Sequence, residues 1–141
     1  MELTRRGALS LAAFGAVATM LPLRTWAETN GWEAAMKDFT GGAEASEGGV
    51  DLTAPEIAEN GNTVPVSVSA PGATAIMVLS AGNPNPGVAQ FNFGALSGSA
   101  EASTRIRLAG TQDLVAVAKM ADGSFAMTKR NVKVTIGGCG G

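Results

Sequence analysis

The chain has 141 residues, 45% of them hydrophobic and 16% charged, which allows one domain with a modest core and no second domain. Its formal net charge is −2, and it contains no histidine, no tyrosine and a single cysteine. Without histidine the commonest general base and metal ligand are missing, and one cysteine makes neither an internal disulfide nor a zinc site. Hydrolase, metalloenzyme and haem chemistry are therefore disfavoured, and no cofactor is expected.

Residues 1–27 read as an export signal. The twin arginines Arg5-Arg6 precede an apolar run over residues 9–21, Pro22 breaks that run, and Thr25-Trp26-Ala27 places a small residue at a cleavage position. The apolar stretch is too short to cross about 30 Å of hydrocarbon, and no lipid-attachment cysteine follows it. The expectation is a twin-arginine signal cleaved near Ala27, a periplasmic mature protein, and no membrane association thereafter. That export route moves proteins already folded, commonly to carry an inserted cofactor or an accompanying partner. With nothing to hold a cofactor, a partner is the better reason. From Glu28 onward there are seven Lys/Arg against eleven Asp/Glu, net −4, with no basic stripe, so nucleic acid is a poor partner.

Asn30 and Glu33 have capping-box spacing and open a predicted helix. Trp32, Met36 and Phe39 form one apolar stripe on it, and Gly41-Gly42 ends it. Trp32 reads as packing rather than as a ligand contact. After a Gly- and Glu-rich connector at 42–49 the hydrophobic period changes to two. Val50-Asp51-Leu52 is a short opening strand. Val64, Val66 and Val68 alternate with Pro65, Ser67 and Ser69, and Pro65 belongs on an edge strand or at a strand's start. Residues 75–79 form a continuous apolar run, as in a strand buried on both faces. Phe91 and Phe93, then Ile106 and Leu108, mark two alternating strands, and 114–118 is another apolar run. Asp122-Gly123 signals a hairpin turn. Phe125 to Ile136 closes the series, with Val132, Val134 and Ile136 facing one way and Lys133 and Thr135 the other. The fold class is all-β, an immunoglobulin-like antiparallel β-sandwich of about seven strands with a short N-terminal helix and a flexible C-terminal arm. The organisation is a signal at 1–27, a domain at 28–136 and an arm at 137–141.

The arm carries the functional signal. Gly137, Gly138, Gly140 and Gly141 surround Cys139, the only thiol. Glycines offer no side chain to pack and lose the most entropy on ordering, so mobility is expected. Cysteine is usually buried, yet this one is placed where its own domain can hardly cover it, and a free thiol in an oxidising compartment is a hazard. Cys139 has no neighbouring cation in sequence to activate it, and the terminal carboxylate is close by. It reads as a thiol that stays protonated until another protein's pocket activates it.

The ending Val132-Lys133-Val134-Thr135-Ile136-Gly137-Gly138-Cys139-Gly140-Gly141 resembles that of the SoxY family, the sulfur carriers of bacterial thiosulfate oxidation. Glu59-Asn60-Gly61-Asn62-Thr63-Val64-Pro65-Val66, Asn83-Pro84-Asn85-Pro86, Thr104-Arg105-Ile106-Arg107 and Arg5-Arg6 extend the resemblance over nearly the whole chain. It implies a non-enzymatic carrier in which Cys139 holds the substrate covalently on a swinging arm. It also implies a heterodimer with SoxZ, an immunoglobulin-like protein without an export signal. The implied visitors are SoxAX, which couples thiosulfate to the cysteine as an S-thiosulfonate, SoxB, which releases sulfate, and SoxCD, which oxidises the remaining sulfane sulfur. Apolar residues on an edge strand or in the 83–87 loop are the expected SoxZ contacts.

Three other readings compete. A ubiquitin-like carrier would use the Gly141 carboxylate, but needs ATP and a long central helix. A structural or interaction sandwich would have no use for the thiol. Carboxylate catalysis would draw on Glu44/Glu47 or Glu56/Glu59, whose polar, interrupted surroundings read as solvated surface. Arg105 and Arg107 read as a solvent-facing pair rather than an anion site.

Overall fold

Apolar residues three and four apart wind Gly31–Thr40 into a helix, α1, in the computed structural model, which describes residues 31–137. Gly41 and Gly42 adopt φ of 67° and 90°, and the Gly42 N–H turns back to the Lys37 carbonyl at 3.0 Å, a left-handed C-terminal stop that side chains would oppose. The proposed cap Asn30 and the signal segment lie outside the described residues.

Nine strands follow: β1 (Ala45–Glu47), β2 (Asp51–Thr53), β3 (Ile57–Ala58), β4 (Val64–Ser69), β5 (Ala73–Ser80), β6 (Gly87–Asn92), β7 (Glu101–Ile106), β8 (Gln112–Met120) and β9 (Phe125–Val134). The larger sheet has the order β1-β9-β8-β5-β6, with β3 also paired to β9, and the smaller has the order β2-β4-β7. The arrangement is the expected immunoglobulin-like sandwich, in which β5–β6 and β8–β9 are antiparallel hairpins. At the tip of the second hairpin, Asp122 Oδ1 accepts from the Ser124 N–H at 2.8 Å and the Ser124 hydroxyl at 2.6 Å. Those bonds hold the Asp122 carboxyl below its ordinary range.

Two strands were not expected from the sequence. β1 lies inside the 42–49 connector and β3 follows Pro55-Glu56; both run parallel to β9, along Phe125–Met127 and Lys133–Val134. Elements of two or three residues are too short to show a period. Between them β2 joins the opposite sheet, so the chain crosses from one sheet to the other and back. Two boundaries also differ. The ladder of β7 ends at Ile106, with Leu108 buried in the loop beyond it. The final strand, expected to run to Ile136, stops at Val134, and Ile136, expected on the same side as Val132, is 67% exposed. Pro65 occupies the second position of β4, where β2, paired only to Ser67–Ser69, does not reach.

The larger sheet is buried on both faces, which explains its unbroken apolar runs. On one face Leu114, Ala116, Ala118, Ile76 and Val78 meet Val64, Val66, Val68 and Ile106 of the smaller sheet. On the other, Val115, Val117 and Leu79 pack beneath Trp32, Met36 and Phe39 of α1. Phe39 meets Phe125 edge-on with ring centroids 6.0 Å apart, and the Lys129 ammonium sits 4.7 Å above the Trp32 ring. Trp32 is thus a packing residue. Replacing fully buried Leu114 with alanine should destabilise the fold by about 3 kcal/mol, read as a lower urea midpoint with an unchanged slope. Leu96→Ala, at a side chain wholly in solvent, should shift it by less than about 0.5 kcal/mol.

Candidate functional site

The described part of the C-terminal segment starts where β9 leaves its ladder. A chain that ends in glycines has no side chains to fix its direction, so the direction must be fixed by the backbone just upstream. Here two loops close on that backbone. From one side, the Thr135 N–H donates to the Ala58 carbonyl at 3.0 Å, the Thr135 hydroxyl to the Glu59 carbonyl at 3.2 Å, and the Gly61 N–H to the Ile136 carbonyl at 2.8 Å. From the other, the Val134 N–H donates to the Thr111 hydroxyl oxygen at 3.0 Å. The two loops are tied together as well, the Leu108 N–H donating to the Gly61 carbonyl at 2.8 Å.

Gly137 ends this clamp. A Cβ at this position would run into the carbonyl oxygen of Ala109, a backbone atom that cannot swing aside. The first glycine of the arm is therefore required by close approach, a reason the sequence did not disclose. Gly138, Cys139, Gly140 and Gly141 lie outside the described residues.

The loop that presents Ala109 is itself braced by Asn83 and Gln112. Asn83 Nδ2 donates to the Arg107 carbonyl at 2.8 Å, while its Oδ1 accepts from the Ala109 N–H and from Gln112 Nε2, both at 2.9 Å. Gln112, 7% exposed, also donates to the Gly110 carbonyl at 3.0 Å and accepts from the Gly82 N–H at 2.8 Å. Every polar atom of these two amides is used. Asn60 shapes the opposite loop, its Oδ1 accepting from the Asn62 N–H at 3.0 Å.

Three segments that carried the resemblance, 59–66, 83–86 and 104–107, thus converge on the root of the arm. Sequence reasoning placed Asn83 in a segment of the resemblance and in a loop expected to contact a partner, and missed Thr111 and Gln112, whose polar side chains at a strand's start give no signal of their own. The other candidates stay apart. Arg105 reaches only the Thr63 hydroxyl, at 3.5 Å, and Glu44, Glu47, Glu56 and Glu59 are exposed. No cluster of three His, Cys, Asp or Glu side chains among the described residues could hold a metal ion.

A β-sandwich whose backbone is clamped at residues 134–137 defines a domain with a fixed exit for the chain beyond Gly137. Comparison with known proteins narrows the class. The family model described as sulfur oxidation protein SoxY matches residues 36–139, a span that reaches Cys139. The structure of the sulfur carrier protein SoxY from Chlorobium limicola f thiosulfatophilum is 38% identical, covers 74% of this chain and 96% of that chain, and superposes with a TM-score of 0.65. A superoxide reductase (neelaredoxin) from Ignicoccus hospitalis is 18% identical over 62% of this chain and 80% of that chain, with a TM-score of 0.54, a likeness of fold alone. No curated protein matches. The chain belongs to the SoxY family, and its role is that of a sulfur carrier of the Sox system.

The clamp yields a quantitative expectation. Asn83→Ala and Gln112→Ala should each cost about 1 kcal/mol by removing hydrogen bonds to part-buried partners. The double substitution should cost less than their sum, because the two share a bond. Denaturation of the four-member cycle measures this directly.

Proposed function

We propose that Cys139 is the covalent attachment point for sulfur intermediates and that the clamped root aims it into the pockets of the Sox enzymes. The observation that carries the reading is positional. The sole thiol of the chain stands two residues beyond Gly137, the last described residue, with only Gly138 between them. The backbone just upstream, at 134–136, is held by bonds to residues 58–61 and 111. In the proposed loading step the Cys139 sulfur and the outer sulfur of thiosulfate form a disulfide-type bond. The thiol proton is lost to solvent, and two electrons pass to the c-type cytochrome complex SoxAX. SoxB then cleaves the bond between sulfane sulfur and sulfonate with water, releasing sulfate and leaving a persulfide on Cys139. SoxCD oxidises that remaining sulfur. The domain supplies no acid, base or metal to these steps; it delivers the sulfur and withdraws it. Export through the twin-arginine route places the mature protein in the periplasm, and Gly138, Gly140 and Gly141 keep the surroundings of the sulfur narrow enough to enter a pocket.

The proposed standing partner is SoxZ. β6 is an outer strand of the larger sheet, bears no charged residue, and offers unpaired backbone groups on its free side. Its neighbouring loop, by contrast, has Asn83 turned to internal duty. An edge of this kind suits a second β-sandwich. Native mass spectrometry of co-expressed chains should show a one-to-one complex, and only monomers would exclude the pairing.

Cys139→Ser decides the carrier reading. Intact-mass analysis of protein from thiosulfate-exposed cells should show adducts in the wild type, mapped to the terminal peptide, and none in the variant. Adducts on the Gly141 carboxylate, or their survival in the variant, would exclude the assignment.

A further inference from the structure

Three large hydrophobic side chains stand exposed among the described residues: Ile57 at 57%, Leu96 at 102% and Ile136 at 67%. Two of the three lie along the root of the arm. Ile57 is paired with Lys133 in the parallel β3–β9 ladder, and Ile136 ends the stretch in which residues 57–61 and 133–136 run side by side. The two isoleucines are three residue steps apart along that stretch, about 10 Å. Leu96 lies elsewhere. Its loop neighbours Gly94 and Ser97 border the same hollow as Gly72 and Ala121, at the end of the sandwich where β9 begins.

Chain length turns this placement into a constraint. Cys139 follows Ile136 by three residues, and three residues span at most about 10 Å however they are arranged. Any protein that takes the Cys139 sulfur into a pocket must bring the rim of that pocket to within about 10 Å of Ile136. Even a small transient interface buries about 600 Å² on each partner, a disc of roughly 14 Å radius. The radius of such a disc exceeds the separation of Ile136 from Ile57 along the β3–β9 pairing. Among the described residues, both side chains remain more than half exposed.

We infer that Ile57 and Ile136 form a docking collar, and that its occupant is the apolar rim of the pocket in each enzyme that loads or unloads the cysteine. The inference rests on the carrier reading of Cys139. The collar supplies apolar contact on the carrier's side independent of which sulfur adduct is carried. One surface therefore serves several enzymes in turn, and selection among them falls to the adduct inside the pocket.

The test is steady-state loading of the full-length carrier by its cognate SoxAX with thiosulfate, the carrier being the varied substrate. Ile57→Ser/Ile136→Ser should raise the KM for carrier at least about tenfold and leave kcat within about twofold, because docking is weakened while the chemistry is untouched. Leu96→Ser should match the wild type. Alkylation of Cys139 by iodoacetamide should proceed at the wild-type rate in every variant, showing that the thiol itself is unaltered. Ile57→Ser alone leaves the arm's own residues intact and should give a smaller rise in KM; thermal unfolding checks that each variant is folded. A KM within twofold of wild type for the double variant, or an equal rise in Leu96→Ser, overturns the collar while the carrier reading stands. Loading of Cys139→Ser overturns the carrier reading, and the collar falls with it.

Discussion

The rest of the molecule depends on one steric fact: the backbone at position 137 lies so close to the Ala109 carbonyl that no side chain fits between them. A terminal segment made of glycine would otherwise leave the domain in any direction, since nothing on it can be packed. Pressing one glycine against a neighbouring loop, and pinning the preceding carbonyl to the Gly61 N–H, transfers the rigidity of the sandwich to the point of departure. Cys139 is two residues further on, so its reach from Gly137 is bounded by bond lengths. A carrier gains from both properties, because the volume searched by its sulfur stays small and the local concentration at a docked pocket stays high.

Rigidity at the root in turn needs a sheet that does not yield. β9 carries the load, and it is held on every side. β8 runs the length of it, β1 and β3 grip its outer edge at the two ends, the smaller sheet lies on one face, and α1 lies on the other. The alternation of β2 between β1 and β3 stitches the sheets together just where the outer edge of β9 would be open. Helix and short strands thus serve the same end as the clamp, from a greater distance.

How much of this was legible in the sequence depends on length scale. The two-faced burial of 75–79 and 114–118 was readable because apolar runs of that length leave no face for solvent. The helix was readable from Trp32, Met36 and Phe39, whose spacing admits no strand. β1 and β3 were not, because Ala45-Ser46-Glu47 and Ile57-Ala58 are defined by the strand beside them rather than by their own pattern. Ile136 misled for a related reason. It continues the period of Val132 and Val134, but the chain has already turned aside to let Thr135 bond the 58–59 carbonyls. At the site, the thiol was visible as the one residue of its kind in an unusual setting. Its aiming apparatus was not, since backbone carbonyls, two amides and a glycine forced by contact leave almost no trace in residue types. Segments 59–66, 83–86 and 104–107 carried the resemblance, but nothing in their residues disclosed that they meet.

The chemistry of the collar also accounts for what surrounds the arm's exit. A carrier that visits several enzymes must leave each one, so its docking surface has to be weak and indifferent to the partner's charge. Surface ion pairs would select one partner by sign and respond to ionic strength, whereas two exposed isoleucines contribute contact that is non-directional and insensitive to salt. Charges are present beside them, Glu56 and Glu59 against Lys133, of both signs and with a net of only −1 among the three. Affinity confined to a small apolar area keeps dissociation fast. On the proposed reading, specificity then resides in the pocket that receives the sulfur.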